Sequence, residues 1–153
     1  MRNRDRKPQG EWAELLFMTR AVPFPHFILS RPWGDSACYD VGVEFKRRHR
    51  RVQVKSTLHP RRGSAFRIGV LGPNRQPYKR GDIDFLAVYL ISINRWYIIP
   101  SSALCHGRTR LRNIQITPGS PRGKWCQFEE AWHLLRQPKR RKKSKSRQPK
   151  RRK

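Results

Sequence analysis

The sequence predicts a single mixed α/β domain followed by a basic tail, and three observations carry that prediction. Residues 9–20 repeat apolar side chains at helical spacing. Residues 33–56 hold two strand-like segments around a basic turn, and the second, Arg51-Val52-Gln53-Val54-Lys55-Ser56, alternates strictly between apolar and polar. Residues 82–92 contain a continuous apolar run suited to a strand covered on both faces, with Trp96–Pro100 as its return strand. At 153 residues the chain has the length of one domain.

Residues 1–8 are charged and aperiodic, so a flexible basic arm is expected ahead of a folded unit at 9–136. The helix from Gln9 to Arg20 is expected to bury Trp12, Leu15, Leu16 and Thr19. Glu11 and Glu14 lie near its positive end and can share a face. Phe27-Ile28-Leu29 reads as a first strand, with Pro23 and Pro25 ahead of it. Arg31–Asp35 reads as a turn, with Asp35 capping it in preference to standing near a metal. Phe66–Val70 alternates and is expected as a third strand of the hairpin. A short helix is expected around Tyr78–Ile83, and Ser101-Ser102 is placed as the N-cap of another through Leu104. Asn94-Arg95 reads as a tight turn, Leu111–Thr117 as an edge strand, and Phe128–Arg136 as a final helix with Ala131, Leu134 and Leu135 inward and Trp132 beside them.

Lys and Arg number 36 against 10 acids, a formal charge of +26. A polyanion relieves self-repulsion of that size, and nucleic acid, DNA or RNA, is the partner it fits. No apolar run approaches membrane-spanning length, and no signal-peptide pattern opens the chain. Lys46, Arg47, Arg48, Arg50 and Arg51 crowd the hairpin turn and are expected to contact phosphates, with Arg61, Arg62, Arg67, Arg75, Lys79 and Arg80 extending that surface. The tail at 137–153 repeats Gln-Pro-Lys-Arg-Arg-Lys, carries no acid, and is expected to be disordered when free. Without it, the chain is still basic. Three cysteines without CxxC spacing fit neither a disulfide frame nor a zinc site, and an intracellular, reducing location is expected.

Lys55 beside β-branched residues is costly to bury without a partner. Asp40, in the apolar first strand of the hairpin, supplies one if it lies opposite the Gln53–Lys55 face. Such a cluster can hold a hard divalent cation through the Asp40 carboxylate, the Gln53 amide oxygen and the Val54 backbone carbonyl, with Lys55 positioning or deprotonating a water. His59 reads as a phosphate or solvent contact, with a general base or metal ligand as the rival reading, and Asp84 as a strand-start hydrogen-bonding group or a further member of the cluster.

An Asp on one strand, then Gln-x-Lys about a dozen residues later, resembles the PD-(D/E)XK nuclease superfamily. Gly10-Glu11, Tyr39-Asp40, Val52–Ser56, Asp84-Phe85-Leu86 and Trp96–Pro100 stand in the order of its small bacterial branch, which includes homing-endonuclease and Holliday-junction-resolvase-like proteins. The resemblance covers roughly residues 9–104. It implies a restriction-endonuclease-like core, a central mixed β-sheet flanked by helices. It implies metal-dependent hydrolysis of DNA with Mg²⁺ or Mn²⁺, catalytic residues Glu11, Asp40, Gln53 and Lys55, and Glu11 facing the metal directly or through water. A homodimer or higher symmetric oligomer in the bacterial cytoplasm, associated with the nucleoid, is also implied. Gln53 departs from the superfamily's usual acid and contributes no charge, which lowers the expected metal affinity. The alternative is a nuclease-like fold that binds nucleic acid without cutting it.

Overall fold

The computed structural model describes residues 6–34, 36–61, 63–72, 75–106 and 109–136. Residues 1–5 of the expected arm, Asp35, Arg62 and the tail at 137–153 lie outside the described residues. The chain runs through helix α1 (Arg6–Ala21) and then β1 (Ile28–Ser30), β2 (Val41–Phe45), β3 (Arg48–Thr57), β4 (Phe66–Gly69), β5 (Phe85–Leu90), β6 (Arg95–Pro100), β7 (Cys105–His106), β8 (Thr109–Arg110) and β9 (Asn113–Ile116). Five strands form a central mixed sheet in the order β1-β2-β3-β5-β6. β3 and β5 are parallel and the other neighbours antiparallel.

β5 lies between β3 and β6 with all six residues buried, as its unbroken apolar run requires. One sheet face presents Val41, Val43, Val52, Val54, Ala87 and Ile98 to α1 and to Trp132 and Leu135. The other presents Leu86, Val88, Leu90, Tyr97 and Ile99 to a two-stranded ribbon of β4 and β9. The parallel register puts Gln53 beside Leu86 and Lys55 beside Val88, so both polar residues point to the ribbon side.

α1 begins at Arg6, so Pro8 lies in its first turn, where a missing N–H breaks no helical bond. Its buried residues are Ala13, Phe17 and Ala21, with Leu16 partly covered. Trp12 and Leu15 are 45% and 54% exposed, and Thr19 is exposed. The expected stripe was one residue out of phase. Two alanines let the helix lie close on the sheet, and Phe17 fills the space between Trp96 and Trp132.

Other elements also differ from expectation. Phe66–Gly69 pairs with β9, not with the hairpin. Residues 78–83 form no helix: the Lys79 N–H donates to Asp82 Oδ2 at 2.6 Å and closes a turn. The parallel crossover from β3 to β5 therefore runs through β4. Ser101–Ala103 is a single 3-10 turn with Pro100 at its N-cap position. The final helix is replaced by two 3-10 segments, Cys126–Phe128 and Trp132–Arg136, interrupted at Glu129-Glu130. There, the Glu130 N–H donates to Trp96 O and Glu130 Oε1 accepts the Trp96 N–H, both at 2.8 Å, which occupies the open edge of β6. Tertiary pairing overrides the local helical pattern.

Candidate active site

β2 and β3 pair as far as Val41 opposite Val52, and one further bond follows, from the Asp40 N–H to Val52 O at 3.0 Å. The Asp40 side chain then takes the place of the next backbone acceptor: Oδ2 accepts the Val54 N–H at 2.8 Å. β2 leaves the sheet at that point while β3 continues to Thr57 along β5. The opening between the diverging chains is the site. The N-terminal part of α1 closes one side of it, where Gln9 Nε2 donates to Ser56 Oγ at 3.0 Å.

The structure brings Asp40, Gln53, Val54 and Lys55 together, as the hairpin reading expects. Gln53 Nε2 donates to Asp40 Oδ2 and lies 3.5 Å from Val54 O. The amide nitrogen is thus placed between the two oxygens assigned to a cation. A half-turn of the amide brings its oxygen to the same point and makes a set of three oxygen donors, the chemistry a hard divalent ion requires. Among the described residues no group of three His, Cys, Asp or Glu side chains forms a metal cluster, so this mixed set with α1 carboxylates nearby is the arrangement that fits.

Burial pushes the Asp40 carboxyl above its usual range, against the lowering effects of the Val54 N–H, the Lys55 charge, the Gln53 amide and Arg31. Glu14 is raised too, by burial and then by repulsion from Asp40, while Arg31 opposes the shift. Arg31 Nη2 lies 2.6 Å from Glu14 Oε2. Glu14 therefore shares the Asp40 environment more closely than its sequence position implies. Glu11 also lines the cleft, but its side chain is 56% exposed and lies 4.0 Å from Lys7.

The cleft has a volume of about 950 Å³. Lys7 and Arg31 stand on the α1 side, and His59, Arg61 and Arg67 on the other. Only part of the expected phosphate surface is here. Lys46, Arg47 and Arg48 are exposed at the hairpin tip, about 25 Å back along β3 from Lys55 at the usual strand rise. Arg50 is 4% exposed and does not present its guanidinium to a phosphate on the surface, which corrects the expectation for it. Arg51 is held against Asp84, whose Oδ2 accepts its N–H at 3.0 Å and stands 3.4 Å from its Nε. Asp84 thereby has the hydrogen-bonding role. Lys79 and Arg80 are exposed on the segment before β5, outside the cleft wall. Lys7 and Arg31 join the site, and Trp33 stands beside it, without a motif of their own in the sequence. Trp33 is fully exposed, between cleft-lining Pro32 and Gly34. A tryptophan inside an Arg-Pro-x-Gly turn was the available signal.

The fold is similar to the solved structure of a bacterial homing endonuclease, I-Ssp6803I, with a TM-score of 0.68 and 23% identity over 85% of this chain and 90% of that one. No curated protein sequence matches the chain. The family model described as PD-(D/E)XK endonuclease matches residues 4–135, which span the helix, the sheet and every residue of the site. This chain belongs to the PD-(D/E)XK endonuclease family.

Proposed function

We propose that the protein hydrolyses DNA phosphodiester bonds by direct attack of water, using a divalent cation. The observation that carries the reading is the convergence of Asp40 Oδ2, the Gln53 amide and Val54 O in a cleft that also holds Lys55 and α1 carboxylates. Asp40, Val54 O and Gln53 Oε1 would hold the cation, with Glu11 or Glu14 joining from α1 directly or through water. When bound, Mg²⁺, with Mn²⁺ as substitute, supplies Lewis-acid polarisation of the phosphate and acidifies water. Lys55 positions the attacking water and offsets charge on the pentavalent transition state. Arg31, steered by Glu14, and Lys7 and Arg61 bind flanking phosphates. Water must enter and leave, which the open cleft allows. Trp12 and Leu15, left exposed on α1, are the apolar surface that a second copy would cover in a symmetric oligomer.

The test is relaxation of supercoiled plasmid and cutting of a four-way junction in Mg²⁺ by wild type, Asp40→Asn and Lys55→Ala. Wild type cuts and EDTA stops it. Both variants bind DNA but lose cleavage by on the order of 10³-fold. Tight binding by wild type with no cleavage in Mg²⁺ or Mn²⁺ would overturn the enzyme reading and leave a binding protein.

A further inference from the structure

The β4–β9 ribbon carries a second recognition surface beside the cleft. Its register opposes Phe66 to Ile116, Arg67 to Gln115, Ile68 to Ile114 and Gly69 to Asn113. The alternation is complete: Phe66, Ile68, Ile114 and Ile116 are buried, whereas Arg67, Gly69, Asn113 and Gln115 are exposed. The outer face therefore presents one guanidinium, two amides and a glycine. Among the described residues, no hydrogen bond or ion pair holds the Arg67, Asn113 or Gln115 side chain. A face kept polar only for solubility would be served by Lys or Glu. These three side chains instead carry the groups that pair bidentately with base edges, Arg with guanine and Asn or Gln with adenine. A two-stranded ribbon also has the width that a major groove admits.

Gly69 gives an independent indication. Its backbone needs no glycine, because it is not among the residues at positive φ. Packing does not need one either: an added Cβ would meet only Asn113 Oδ1, at 3.9 Å. Glycine in a strand with room for a side chain marks a close approach from outside. The ribbon is also continuous with the cleft, since Arg67, Ile68 and Gly69 form part of the cleft wall.

We propose that the outer face of the β4–β9 ribbon enters the major groove of duplex DNA and reads bases through Arg67, Asn113 and Gln115, with Gly69 leaving room for the base edges. This rests on the cleft acting on DNA. Sequence preference is then set by the ribbon, not by the more basic hairpin tip.

The experiment is selection of bound duplexes from a randomised library, followed by sequencing, with cleavage of the same library in Mg²⁺ run in parallel. Wild type enriches a short motif. Arg67→Lys keeps the charge but loses the planar fork, and reduces the guanine preference at one position about tenfold. Gln115→Ala relaxes preference at a neighbouring position by a similar factor. Gly69→Val melts no lower than wild type, because the strand has room for it, yet binds the enriched motif at least tenfold more weakly. No enriched motif, an unchanged motif in Arg67→Lys and Gln115→Ala, or full motif affinity in Gly69→Val would overturn the ribbon reading. Absence of cleavage by wild type with the motif changes intact would overturn the nuclease reading alone.

Discussion

The two ends of β3 are one strand with opposite characters. At the hairpin tip, Lys46, Arg47, Arg48, Arg50 and Arg51 make one of the densest charge runs in the folded part of the chain. At the other end stand Gln53 and Lys55, two polar residues among valines. The tip has the louder signal but lies outside the cleft wall. Arg50 is buried, Arg51 is committed to Asp84, and Lys46 and Arg47 turn the chain in the left-handed region at φ 49° and 61°. The quiet end is where α1, the 31–40 segment, β3 and β4 converge. Charge density shows which kind of partner the surface attracts, whereas convergence of several segments shows where chemistry can occur.

Mutations at the two ends should have different consequences. Lys55→Ala, at the quiet end, should lower cutting by on the order of 10³-fold, whereas replacing Lys46-Arg47 with Asn-Gly should leave the cleavage rate at low salt within about threefold of wild type. The tip variant should instead bind with a shallower salt dependence, its slope smaller by roughly 2 if both cations meet phosphates. Cleavage lost at the tip to the same extent as at Lys55 would show that the ends are not separable.

Next in size is Gln53→Glu. A carboxylate in place of the amide adds charge to the cation site, so the Mg²⁺ concentration for half-maximal cleavage should fall about tenfold. Without metal, the same change removes the N–H that Asp40 accepts and sets two carboxylates side by side, so the melting temperature in EDTA should drop. Titration of rate against Mg²⁺ and melting in EDTA check the two halves of this prediction.

The pH dependence follows from the raised Asp40 and Glu14 carboxyls. Their ionised forms are lost at a higher pH than ordinary carboxylates, so cleavage should fall on acidification above the usual Asp and Glu range. Stability runs the other way. A folded pKa above the unfolded one means that stability is fully present below the unfolded pKa and is lost as pH rises through the folded value. Asp40→Asn, which keeps an acceptor for the Val54 N–H, should therefore melt at or above wild type at pH 8 in EDTA while failing to cut. A lower melting temperature would assign Asp40 a structural role in addition.

A small gain in stability is expected at the tip. Lys46 and Arg47 adopt positive φ without being glycine, and Asn-Gly suits that two-residue turn. The exchange should stabilise the fold by about 0.5–1 kcal/mol, measured by urea unfolding.

Elements whose signals are local are legible in the amino-acid order. The apolar run at 85–90 had to be covered on both faces, the alternation of Val52 and Val54 set which way Gln53 and Lys55 point, and the spacing of Asp40 from Gln53 allowed them to meet across one hairpin. The tail's composition and the net charge needed no fold to be read. The phase of α1 was set by packing, because Trp12 and Ala13 are both compatible with a helix and closeness to the sheet selected the smaller. Tertiary contact also turned Phe128–Arg136 from a helix into two short turns, since the β6 edge offered Glu130 backbone bonds that a helix cannot make. It separated the basic tip from the cleft, and it paired β4 with β9 from opposite sides of the β5–β6 hairpin. Those outcomes depend on contacts between residues far apart in the chain, and no local pattern of hydrophobicity or charge encodes which distant partner wins.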